Sequence, residues 1–235
     1  MMDFTFQSYK QLLESFIEKY SLHSLNIDYS SGRHLLIRHD IDRQPQNALT
    51  TAKLENALKV TGTYYFRYRK DVFIPSIIQE IASLKHDVGY HYENLSVISE
   101  KLKLRKEDIL KINLAFRPAL LNALGKQKTD ENIENNLGIR ESEFDSILRN
   151  LETRVRIIAE NLFEEAIMDF QENLYAFRKI ANIETISMHG SPSSLIDNRL
   201  LWLKYNYFDS NILLEPYFDL DYNEVFYITD ASRKW

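Results

Sequence analysis

The sequence predicts an α/β fold built on a parallel sheet, and three features carry that expectation. Short apolar runs alternate with helical patterns between residues 33 and 92, and apolar runs return after residue 183. Polar residues capable of chemistry also gather where those runs end. A strand–helix–strand–helix–strand succession is the signature of a parallel sheet with crossover helices.

Taken in order, Phe6, Tyr9, Leu12, Leu13, Phe16 and Ile17 recur at helical spacing, which predicts an amphipathic helix over 6–21. HLLIRHD, residues 34–40, reads as the first strand of the alternation, and Pro45 then stands in the first turn of a helix over 45–59. GTYYFRY, residues 62–68, opens on Gly62 and is rich in aromatics, a second strand. After Pro75 comes a short helix, SIIQEIASLK, and HDVGYHY at 86–92 is a third strand carrying two histidines. From about 96 to 180 the pattern is almost continuously helical, punctuated by Pro118, Gly125 and Gly138, with KTDENIENN as an exposed loop. Strands are expected again at 184–190, 211–218 and 225–230.

Composition narrows the function classes. A chain of 235 residues, 44% hydrophobic and 27% charged, can bury one substantial core. Its formal net charge of -5 speaks against a general nucleic-acid partner. With no cysteine, disulfides, zinc–thiolate sites and a cysteine nucleophile are excluded. The N-terminus has neither the basic start nor the apolar core of a secretory signal, and no apolar run is long enough to span a membrane. A cytoplasmic protein is the expectation.

The chemistry concentrates in RHDID. Asp40 and Asp42 are two residues apart on an extended chain, so they share one side and repel unless a cation stands beside them. Arg38 has the same parity, which makes a structural salt bridge one solution; a divalent ion is the other. Asp42 and His91 suit zinc, manganese or cobalt. Asp40 would then be free to act as general base, with His189 as general acid or a further ligand. His39, on the opposite face, and His86 are expected to serve packing or supporting roles.

RHDID, GTYYF, HDVGYHYE and TISMHGSP, in that order, resemble the polysaccharide deacetylases of carbohydrate esterase family 4. They look most like a bacterial branch associated with surface-polysaccharide genes, which ends in blocks similar to DNRLLW, EPYFDLDYNEVFYITD and SRKW. The resemblance covers residues 33–95 and 160–235. It implies an irregular (β/α) barrel with a divalent metal at its C-terminal mouth. It also implies hydrolysis of an N-acetyl amide on a sugar or polysaccharide precursor. Carried over residue by residue, Asp40 matches the catalytic base, Asp42 and His91 the metal ligands, and His189 the general acid.

The family's second histidine of an H-x-x-x-H pair falls on Leu95, which has no ligand atom, so Glu93, His86 or His189 is expected to complete the sphere. Glu93 lies two residues beyond His91 and is best placed by parity; His189 is its rival. Zinc is the expected ion, with manganese or cobalt as alternatives. Arg38 and Tyr92 are expected at the substrate, and Tyr64, Tyr65 and Tyr217 either stack on sugar or belong to the core. Segment 101–160 has no counterpart in the family and reads as an inserted helical lobe of a single 1–235 domain, serving as a lid or as the surface of a homo-oligomer. Because similar chains extend past the final block, a last strand or helix is expected to be missing. Two other functions stay open: a catalytically impaired barrel acting as a carbohydrate-binding or scaffold protein, and another metal-dependent amide hydrolase.

Overall fold

A computed structural model describes residues 5–25, 32–125, 141–190 and 194–228. Its centre is a parallel sheet of β3 (Arg38–Ile41), β4 (Thr63–Phe66), β5 (Asp87–Tyr92) and β6 (Ile183–Met188), in that spatial order. A separate parallel pair, β1 (Ser21–His23) and β2 (His34–Leu36), leads into it. Ile37 joins the two: its amide donates to the His23 carbonyl and its carbonyl accepts from the Thr63 amide, each at 2.9 Å.

Alternation along the strands divides the sheet into two unlike faces. Tyr64, Phe66, Val88, Tyr90, Tyr92 and Ile186 point to one face and join the main buried cluster. Arg38, Asp40, Tyr65, Gly89, His91 and Ser187 occupy the other, where Asp40 pairs with Tyr65, Tyr65 with Gly89 and His91 with Ser187. The apolar face is covered by helices. Among them are α2 (Pro45–Ala57) and α3 (Pro75–Ser83), each with proline in its first turn, where its missing N–H costs nothing. α4 (Asn94–Lys101) and α5 (Lys106–Leu124) follow, and α5 continues through Pro118. Then come α6 (Glu141–Arg149) and the long α7 (Thr153–Arg178). Along α7, Val155, Ala159, Leu162, Phe163, Ala166, Phe170, Leu174 and Phe177 form one buried stripe. Phe116 and Phe144, from the segment expected as a lobe, are buried in the same cluster as Phe66 and Tyr90.

The N-terminal helix α1 (Phe6–Ile17) is shorter than expected and is capped by Thr5, whose hydroxyl accepts from the Ser8 amide. Its Leu13 packs with Leu22, Ile37 and Val60 in a small separate cluster. None of the helices among the described residues is long and apolar enough to cross a membrane.

Two expected strands are not formed. Within 211–218 only Leu214 pairs, bridging Thr185 beyond β6. After a short α8 (Leu201–Lys204), the chain then turns into α9 (Pro216–Asp219) because Pro216 cannot donate to a ladder and Glu215 caps the turn. Residues 225–228 are also not a strand, and 229–230 lie outside the described residues. Phe226 there is 89% exposed and is not packed into either buried cluster of the described residues.

Candidate metal centre

Three strand ends converge on one point. Asp42 follows β3, His91 lies near the end of β5, and His189 follows β6. Asp42 Oδ1 is 2.9 Å from His189 Nδ1 and 3.5 Å from His91 Nε2. The two imidazole nitrogens are 3.2 Å apart. His189 is positioned through its own amide, which donates to the Tyr92 carbonyl at 2.8 Å.

The orientation of the His91 ring follows from its neighbour. Its Nδ1 lies 2.9 Å from the Ser187 carbonyl, which can only accept, so Nδ1 carries a hydrogen and Nε2 is the nitrogen turned to the centre. That nitrogen faces the carboxylate oxygen of Asp42, to which a protonated ring donates and beside which a neutral ring offers a lone pair to a cation. Asp42 Oδ1 is itself buried and makes no well-directed hydrogen bond, despite the short approach of His189. Buried donors and acceptors are rarely left in that state without an ion or a water. Donor atoms around one tetrahedral zinc, with bonds of about 2.0–2.1 Å, stand about 3.3 Å apart. The three separations observed here bracket that spacing. Asp42, His91 and His189 therefore fit a divalent cation, and they are the group able to hold one among the described residues. Burial raises the Asp42 carboxyl, but His189 and His91 outweigh it and hold the group below the ordinary carboxylate range.

Asp40 takes a different partner. Arg38 grips it with two bonds, Nε to Oδ1 at 2.8 Å and Nη2 to Oδ2 at 2.7 Å. Its Oδ2 is 3.9 Å from His91 Nε2, at the edge of the triad. Burial pushes the Asp40 carboxyl up, and His91 and Arg38 together bring it below its usual value. Of the two solutions to the paired carboxylates, the salt bridge is formed at Asp40, while Asp42 turns to the two histidines that could share an ion with it. Arg38, expected at the substrate, is committed to Asp40 and lies over the rings of Tyr65 and Tyr217.

Two expectations need correction. Glu93 does not reach the triad, because β5 ends at Tyr92 and the Glu93 backbone leaves the extended region (φ -147, ψ 29). Its carboxylate instead takes two bonds from Arg67, at 2.8 and 2.6 Å, and comes no nearer than 4.0 Å to His189 Nε2. There it can orient the His189 ring rather than bind a metal. Tyr92 is fully buried on the helix-covered face and donates to Glu215, so it cannot meet a substrate. Leu95 is fully buried on α4 in the apolar core, which explains a non-ligating residue at that position. Tyr64 and Tyr65 are also buried, while Tyr217 is partly exposed between Arg38 and Arg199.

His39 and His86 surround a buried carboxylate, Glu55, that sequence reasoning missed. His39 Nε2 lies 2.6 Å from Glu55, which also accepts from the hydroxyls of Tyr9 and Tyr64. Glu215 was missed as well, although a glutamate directly before proline is a helix-start signal. It is fully buried and accepts from the amides of Met188, Tyr217 and Phe218, tying α9 to the end of β6.

Burial drives the Glu215 carboxyl from 4.5 up to about 7, against the pull of those amides and of Arg38. Its folded value lies above its unfolded one, so its contribution is fully present below about pH 4.5 and is lost as pH rises through about 7. The parent protein should lose about 3 kcal/mol from this group between those limits. Glu215→Gln should flatten that part of the stability profile, measured by urea unfolding at pH 4.5 and pH 8 in chelator.

Comparison with protein-family models, with curated proteins and with solved structures finds no match.

Proposed function

We propose that the protein is a metal-dependent hydrolase that removes an N-acetyl group from a sugar or polysaccharide precursor. The observation that carries this reading is the orientation of His91, whose Nδ1 is spent on the Ser187 carbonyl and whose Nε2 faces the buried Asp42 oxygen with His189 beside them. The order of RHDID, HDVGYHY and TISMHG, and their resemblance to polysaccharide deacetylases with an irregular (β/α) barrel, supports the choice of an N-acetylated sugar.

Asp42, His91 and His189 would hold the metal, and a donor set of one oxygen and two nitrogens suits zinc, with manganese or cobalt as alternatives. When bound there, the ion would supply Lewis-acid polarisation of the amide carbonyl. Asp40, kept ionised and oriented by Arg38, accepts a proton from the attacking water. The carbon–oxygen bond forms as the carbon–nitrogen bond breaks, and Asp40 hands the proton to the departing amine. His189, expected as the general acid, turns Nδ1 to the triad and Nε2 toward Glu93, so it serves as a ligand in this scheme.

The test is acetate release from N-acetylglucosamine oligomers by protein reconstituted with zinc, cobalt or manganese. Release that disappears on chelation and returns with metal is expected. No release with any of the three ions, from a protein that holds them, would leave the carbohydrate-binding reading in its place.

A further inference from the structure

His189 lies beyond the end of β6, where no sheet ladder holds its backbone. Two groups hold it instead. Its amide donates to the Tyr92 carbonyl at 2.8 Å, and its carbonyl accepts from Asn198 Nδ2 at 3.3 Å. We propose that Asn198 is a positioning residue of the metal centre, fixing the backbone of His189 so that its ring meets the ion. This role rests on the reading of Asp42, His91 and His189 as a metal site. It falls to a residue of DNRLLW, a block to which the proposed chemistry gives no part.

Asn198 opens a short 3-10 turn, Asn198–Leu200, and is 2% exposed. Its neighbours set the orientation of its amide. The Ser96 backbone N–H can only donate, so Oδ1 faces it, at 2.9 Å. Nδ2 is thereby turned to the Ser96 hydroxyl, at 3.0 Å, and to the His189 carbonyl, which can only accept.

These bonds interlock the start of α4 with the end of β6. Ser96 stands in the first turn of α4, where an amide has no partner within its own helix. The carbonyl four residues earlier belongs to Tyr92 and is taken by the His189 amide. Asn198 supplies the acceptor in its place. One side chain therefore satisfies a helix end and holds a metal ligand against α4, whose Leu95 and Ile98 are buried in the main cluster.

The turn is braced in its own right. Asn113 Oδ1 of α5 accepts from the Asp197 amide at 2.9 Å. The Asp197 carboxylate accepts from the Arg199 amide at 3.0 Å and from the Arg199 guanidinium at 3.0 and 2.7 Å. Asn113 belongs to the segment expected as a lobe, so that segment reaches the centre through this turn. Removing a group that orients a metal ligand commonly costs about 10–100-fold in metal affinity.

The test is zinc titration at neutral pH, by competition with a chromophoric chelator, of the parent, Asn198→Asp, Asn198→Ser and Ser96→Ala. Asn198→Asp keeps an oxygen for the Ser96 amide but sets a second oxygen against the His189 carbonyl. It should bind zinc at least about tenfold more weakly than the parent. Asn198→Ser, too short to reach that carbonyl, should show a loss of the same size. Ser96→Ala removes only the other acceptor of Nδ2 and should bind zinc as the parent does. The visible spectrum of cobalt-loaded protein gives a readout that a purely structural role would not move: it should change in Asn198→Asp, as His189 shifts at the ion, and stay parental in Ser96→Ala. Circular dichroism in chelator should show all three variants folded.

Parental zinc affinity in both Asn198 variants, an unchanged cobalt spectrum in Asn198→Asp, or a loss in Ser96→Ala as large as theirs would overturn the positioning role. Loss of the native dichroism in both Asn198 variants would overturn it as well, by making Asn198 a residue of the fold alone. A parent that binds no zinc would instead overturn the centre on which the role rests, so the two failures are read separately.

Discussion

Asp40→Asn should keep the parental metal content and cut acetate release about a thousandfold. Asp40 stands outside the triad, its Oδ2 3.9 Å from His91 Nε2, so its removal takes no ligand away. Asparagine keeps the shape of the side chain and an oxygen for one of the two Arg38 bonds. It cannot take a proton from water. Metal content by atomic absorption and acetate by coupled assay separate the two effects. An active variant would remove Asp40 from the chemistry, and a variant that loses metal would make Asp40 a ligand.

Gly89→Ala should destabilise the fold by about 3 kcal/mol or more. Gly89 pairs with Tyr65 in the centre of the sheet, and the Tyr65 ring lies across the position where a side chain would begin. A Cβ there would overlap Tyr65 Cδ1 and Cε1 and stand 2.9 Å from the Thr185 carbonyl oxygen. Tyr65 is fully buried and cannot swing out, and the Thr185 oxygen belongs to the adjoining strand. The strain falls two residues from His91, so metal affinity should drop with stability. Urea unfolding that shows a loss below about 1 kcal/mol would mean the sheet yields more readily than a close-packed interior normally does.

The central strands were legible because each is a short apolar or aromatic run closed by turn chemistry, as in GTYYF and HDVGYHY. The last two expected strands have similar composition, yet a strand exists only where a neighbour offers a free edge. Residues 212–215 pair with β6 through a single bridge, Leu214 to Thr185, before the Glu215 cap and Pro216 turn the chain. Side-chain parity correctly put Asp40 and Asp42 on one side of the chain. It could not show that they would take different partners, because that depends on residues distant in sequence such as His91 and His189. Parity also favoured Glu93, and it failed there because an alternation rule ends with the strand; α4 begins at the next residue. Glu55 and Glu215 carry no local signal of burial, since each is held by groups from several separate segments.

The central claim is that Asp42, His91 and His189 together bind one divalent ion. Equilibrium dialysis against zinc at neutral pH tests it most directly, using the parent protein and the variants Asp42→Ala, His91→Ala, His189→Ala and Glu93→Gln. The parent should hold about one zinc per chain. Each triad variant should bind at least about a hundredfold more weakly, and Glu93→Gln, which can only disturb the orientation of His189, should lose less. A parent that holds no zinc, or triad variants that hold it as tightly as the parent, would contradict the assignment.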